Sequence, residues 1–238
     1  MLNRIFLAMA KVTIVELLVE AATIIVNRRP EIWMVPVSKI LHVILFCLNP
    51  SVIYLWCCFA AIWIFGENRD TIKRLNILAI PLLINALLSC TGLYGGLIFR
   101  ITEDNIYKHG TLFYVTGAVS YIYLIHSCAL ILRDKRKFSR SEFHAFISFA
   151  VIPSIGGLLQ VLFHGPLLMW AATGMATIVI FIYLQQKMME VDTLTGAWTR
   201  GAFENYIEKR VAKITKETGF TNWSRLTLRS LSFLSDKV

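Results

Sequence analysis

The chain has 238 residues, of which 56% are apolar and 16% charged, with a formal net charge of +9 and a mean hydropathy of +0.62. Soluble domains carry about 25% charged residues, so these values exclude a disordered chain, a coiled-coil rod and an ordinary soluble enzyme. They point to an all-α, polytopic membrane bundle with the lipid bilayer as its first partner.

The charge does not read as a nucleic-acid footprint. Most basic residues lie between apolar runs, where membrane proteins place their topology signal. A spanning helix needs about 20 apolar residues, and seven runs approach or reach this: 5–26, 32–48, 51–65, 75–99, 111–132, 143–163 and 166–186. The first is expected to be an uncleaved span, because too few apolar residues precede Ala8-Met9-Ala10 for a signal peptide. The second and third are short and joined only by Asn49-Pro50. They read as two crossings or as a re-entrant pair.

With this parity, one side of the membrane receives Arg28, Arg29, Arg69, Lys73, Arg74, Arg133, Lys135, Arg136, Lys137, Arg140 and Lys187. The other receives Arg4, Arg100 and Lys108. The positive-inside rule then sets the N-terminus outside and the C-terminal tail in the cytoplasm. The longest external loop, 100–110, is too short for a sensor domain. A stimulus would have to be read inside the bundle, in the lipid, or by that loop acting as a lid.

Polar residues within the spans are the candidate site. Glu16 and Glu20 stand four apart on one face of the first helix, Lys39 and His42 lie in the second, and Asn85, His126 and Gln160 follow. Ionisable groups at membrane depth are costly and mark function by default. If the first two helices pack antiparallel, Glu16 or Glu20 meets Lys39 as a buried ion pair lining a cavity. The same pair would serve equally as glue between helices. Pro36, Pro81 and Pro153 are expected to kink their helices, and Gly156-Gly157 to let two helices approach closely. Cys47, Cys57, Cys58, Cys90 and Cys128 read as small apolar residues, with no metal-ligand spacing.

The last span runs on into a short heptad-like seam, Phe181, Leu184, Met188 and Val191, which suits a dimerising or signalling helix. Just beyond it the chain reads Asp192-Thr193-Leu194-Thr195-Gly196-Ala197-Trp198-Thr199-Arg200-Gly201-Ala202-Phe203. This resembles the opening of a GGDEF domain, the diguanylate cyclase fold, typically D-x-L-T-G-L-x-N-R-R-x-F. Asp192, Leu194, Thr195, Gly196, Arg200 and Phe203 match, while Ala197, Thr199 and Gly201 depart. Phe203, Ile207, Val211 and Ile214 then recur at helical spacing. The membrane part is similar, more loosely, to the sensory bundles that precede such domains, through residues 103–110, Pro153 with 156–160, and Gln185-Gln186.

The resemblance implies a bacterial cell-membrane protein with a sensory domain at 1–187 and a linker with the first helix of an α/β GGDEF-like domain at 188–220. A tail at 221–238 departs from the family. In the intact family two GTP molecules, held with Mg, are joined into cyclic di-GMP across a dimer interface. Here the Gly-Gly turn, the metal-holding carboxylates and the FKxxND segment are missing, and Gly95-Gly96 and Gly156-Gly157 both fall within the predicted spans. The expectation is a truncated, catalytically silent chain with no catalytic residue, metal or cofactor of its own. It would sense an unknown small or lipophilic ligand and pair with itself or with an intact cyclase. A small transporter or channel is the alternative, and the receptor part of a histidine-kinase-like protein the third.

Overall fold

The computed structural model describes residues 1–163 and 168–189, together with Phe203, Tyr206 and Ile207. Met1–Phe181 forms one compact unit and the chain from Ile182 a second. The helices among the described residues are α1 (Leu2–Val26), α2 (Met34–Phe65), α3 (Arg69–Leu78), α4 (Ile80–Cys90), α5 (Phe113–Arg133), α6 (Arg140–Phe163) and α7 (Leu168–Met189). A short hairpin, β1 (Phe99–Ile101) and β2 (Tyr107–His109), lies between α4 and α5 and pairs Phe99 with His109 and Ile101 with Tyr107.

Four helical stretches are long and apolar enough to cross a membrane: α2, α3 continued through α4 as Arg69–Leu93, α5, and α7 as far as Lys187. The chain is therefore mostly helical, with four apolar helices consistent with a membrane protein. α1 is as long, at 25 residues, but carries Lys11, Glu16 and Glu20 in its middle.

The predicted break at Asn49-Pro50 does not occur. α2 runs through Pro50 for 32 residues, so the expected second and third spans are one helix. Proline lacks an N–H and frees the carbonyl four residues back, here that of Phe46. The Asn85 side chain on α4 donates to that oxygen at 2.8 Å. A neighbouring helix that re-satisfies the freed group makes proline tolerable at membrane depth.

Pro81 behaves differently. The helix stops at Leu78 and restarts at Ile80, so Pro81 falls in the first turn of α4, where no N–H is needed. Pro36 likewise occupies the first turn of α2 and costs no bond, while Pro153 lies inside α6.

Merging two spans into one moves the α1–α2 turn to the other end of the bundle from the one predicted. Asn105, in the left-handed region at the hairpin turn, donates to the last carbonyl of α1, Val26, at 2.7 Å, and Arg28 N–H donates back to Asn105 O at 3.0 Å. Arg28 and Arg29 thus share an end with Arg100 and Lys108. At the other end the Met1 ammonium lies 3.3 Å from Glu67 in the α2–α3 turn. Lys137 sits there too, over the Phe65 ring, with its ammonium 3.5 Å from Ile64 O at the close of α2. Hydrogen bonding from Lys137 and the charge of Arg133 hold the Asp134 carboxyl below the usual carboxylate range. α6 then opens on a reciprocal cap, in which Ser139 N–H donates to Glu142 and Glu142 N–H to the Ser139 hydroxyl.

α2 is the central helix. From Trp56 to Ile62 every side chain is buried, as expected of a helix surrounded on all sides. Trp56 stacks on Phe149 at 4.3 Å, and Phe59 on Phe146 at 5.7 Å. Gly156 faces α7 so closely that a methyl group there would strike Ala172 and the Leu168 carbonyl. This is the close approach expected of that glycine pair. All five cysteines are free, with Cys57 and Cys58 buried and Cys90 exposed.

Candidate functional site

α1 is amphipathic in the sense opposite to a soluble helix. Its buried residues are Met9, Thr13, Glu16, Glu20 and Thr23, spaced four, three, four and three. Its exposed face carries Leu7, Ile14, Val15, Leu18, Ile24 and Ile25. Lipid outside and polar contacts inside produce this pattern, because polar groups facing hydrocarbon have nothing to bond.

The two threonines on this seam are satisfied within α1. Thr13 donates to Met9 O at 2.9 Å and Thr23 to Glu20 O at 2.7 Å. Glu16 is fully buried, and neither of its carboxyl oxygens meets a hydrogen-bond donor among the described residues. Glu20 lies one turn further along the same seam. A buried polar group without a partner costs about 1–3 kcal/mol by protein mutational measures, so the retention of Glu16 at this depth needs a reason.

Of the four predicted site residues, the structure keeps Glu16 with Glu20 on α1 and Lys39 with His42 on α2. Lys39 does not meet either carboxylate: its ammonium reaches Leu93 O at 3.5 Å, under the hairpin. The reason is the face it occupies. Lys39 and His42 are three apart on α2 and share the side that receives β1 and β2. His42 stacks on Tyr107 at 4.9 Å and meets the Phe99 ring, tilted against it, at 5.4 Å. Its Nδ1 lies 2.7 Å from Ser38 O. Since a carbonyl only accepts, Nδ1 carries the hydrogen.

The hairpin is a plug rather than a free loop. Ile98, Phe99 and Ile101 are buried against Phe46, with Val43, Leu88 and Phe113 packed around them. Burial pushes the Tyr107 phenol well above its ordinary range. The predicted fourth span reached Phe99, but the helical stretch ends by Leu93 and residues 97–101 belong to this plug.

Sequence reasoning missed a second feature. A cavity of about 140 Å³ lies among α2, α5, α6 and α7, with Asn49, Ser120, Phe149, Trp170 and Thr173 on its wall. Ser120 donates to Asn49 Oδ1 at 3.3 Å and to Thr116 O at 3.0 Å. Gly117 and Gly157 leave its edges open, and a methyl group at Gly117 would meet nothing within 4 Å. The pairing of Asn49 with Ser120 was hidden because Asn49 was read as a turn residue.

Of the predicted signalling seam, Phe181 stacks on Phe6 at 6.1 Å and Leu184 is half-buried. Met188 continues α7, and its side chain, like Val191, lies outside the described residues. So do Asp192, Leu194, Thr195, Gly196 and Arg200 of the domain-opening motif; Phe203 is helical and exposed. No group of residues able to hold a metal ion occurs among the described residues. No family model, no curated protein and no solved structure matches the chain.

Proposed function

We propose that the chain is the membrane sensory module of a cyclic di-GMP signalling protein, in which a cue read inside the bundle is passed along the last helix to a GGDEF-like domain. The observation that carries this reading is the fully buried Glu16 carboxyl, which meets no donor among the described residues. A bundle held together only by packing has no use for such a group, whereas a receptor that completes its site with a ligand does. The resemblance of residues 192–203 to a GGDEF opening supplies the output side. The partner is then a second copy of the chain or an intact cyclase, with Mg and GTP belonging to the complete family enzyme.

In this reading α1, α2, α3 with α4, α5, α6 and α7 make six crossings. Arg4, Arg69, Lys73, Arg74, Arg133, Lys135, Arg136, Lys137, Arg140 and Lys187 then collect on one side, against Arg28, Arg29, Arg100 and Lys108 on the other. The positive-inside rule places both termini in the cytoplasm. This replaces the outside N-terminus expected from seven spans. An epitope fused ahead of Met1 should be digested by protease in inverted vesicles and protected in intact spheroplasts. Digestion in intact spheroplasts would overturn the six-crossing arrangement.

The sensory reading is tested by following Val191 with a complete diguanylate cyclase catalytic domain. At equal protein level in membranes, Glu16→Gln is expected to shift cyclic di-GMP output about fivefold or more, the lower range of allosteric coupling. An unchanged output would sink the reading. A proton or solute path is the second reading, because two carboxyl groups one turn apart at membrane depth would serve it as well. Solute flux in proteoliposomes that is abolished by Glu16→Gln would put that reading first.

A further inference from the structure

We propose that the hairpin end of the bundle holds a binding site for a small oxyanion, a carboxylate or a phosphate, clasped between Lys39 of α2 and Arg100 of β1. The two cationic side chains converge on a polar cavity of about 240 Å³ under the Gly92–Gly96 turn. The Lys39 ammonium lies 3.5 Å from Leu93 O, and the Arg100 guanidinium 3.5 Å from Gly95 O. These acceptors are two residues apart, so two positive charges are brought to one short stretch of backbone.

Neither cation forms an ion pair among the described residues. No Asp or Glu lines the cavity. Two cations facing the same small space repel each other, and both keep most of their donors unused: three on an ammonium, five on a guanidinium. An oxyanion removes the repulsion and takes those donors in charge-assisted bonds, which are about twice as strong as neutral ones.

The turn itself offers the anion nothing. The N–H groups of Tyr94, Gly95 and Gly96 all donate to Thr91 O. Recognition therefore rests on the two side chains, and it favours a compact anion with two or more oxygens over a long one. The site stands apart from the Glu16 seam and does not depend on the sensory reading. The anion has two sources, a free solute or the phosphate of a lipid headgroup at the bilayer surface.

The test uses the full chain in nanodiscs of phosphatidylcholine, titrated calorimetrically with inorganic phosphate and with succinate. Saturable uptake of either one, weakened roughly tenfold by Lys39→Gln and by Arg100→Gln and kept by Lys39→Arg, supports the site with a free solute as occupant. In discs of phosphatidylglycerol, native mass spectrometry should otherwise find a retained lipid that both glutamine variants lose. That result supports the site with a headgroup as occupant. Arg100 is exposed, so Arg100→Gln keeps the test valid should Lys39→Gln fail to fold. Absence of both signals, or binding that neither substitution changes, overturns the proposal.

Discussion

Asn85→Leu is expected to cost several kcal/mol of stability, and Pro50→Ala in the same chain is expected to return most of it. The reasoning follows one carbonyl. Pro50 has no N–H for the oxygen of Phe46, and the Asn85 amide supplies the missing donor at 2.8 Å. Asn85 is fully buried, so leucine in its place leaves the Phe46 carbonyl unbonded in a medium without water, where each such group costs several kcal/mol. Alanine at position 50 restores the backbone N–H and closes the ordinary helical bond. Pro50→Ala alone should therefore change little. The measurement is the unfolding midpoint of the four proteins in one detergent. A double variant no more stable than Asn85→Leu would show that the amide does something other than bond that carbonyl.

The second large effect is expected at the plug. Phe99 is fully buried, stacks on Phe46 and lies tilted against His42, both at 5.4 Å between ring centres. Its ring also covers Gly92 so closely that no side chain fits there. Phe99→Ala should cost about 3–5 kcal/mol, the usual range for a buried phenylalanine. The loss should appear locally. Residues 97–109 should become open to protease and to amide exchange, while α2 and α5 stay protected. Phe99→Leu, which keeps most of the volume, should lose far less. Unchanged exchange across the hairpin in Phe99→Ala would mean that the strand pairing and Asn105 hold it without the ring.

Much of the fold was legible because lipid imposes long apolar runs with basic residues between them. The ends of α1, α5 and α6 fell within a few residues of the expected ones. What could not be read was pairing across helices. Asn49-Pro50 has the composition of a turn, and only the amide of Asn85, 35 positions further along, makes it helical. With that tertiary bond in place, two expected spans become one continuous helix.

The site divides in the same way. Glu16 and Glu20 were legible because their spacing of four fixes them on one face of one helix. The contact Lys39 makes could not be read, because it depends on a hairpin whose buried residues, Phe99 and Ile101, read in the sequence as part of a span or as loop. The predicted GGDEF opening lies almost entirely outside the described residues, and it stands on its sequence alone.

The polar seam of α1 also bears on how the protein is made. On insertion scales a charged residue near the middle of a helix costs about 2.5–3.5 kcal/mol, and α1 carries Lys11, Glu16 and Glu20. Emerging from the ribosome before α2, it is a poor candidate to leave the translocon by itself. α2, with a mean hydropathy of 2.0 over its most apolar stretch, enters lipid more readily. The two are joined by a turn of only seven residues, so α1 is expected to be carried in with α2 as a pair, its carboxylates shielded by the helix that follows. Membrane entry of α1 would then be a delayed, cooperative event, set by α2.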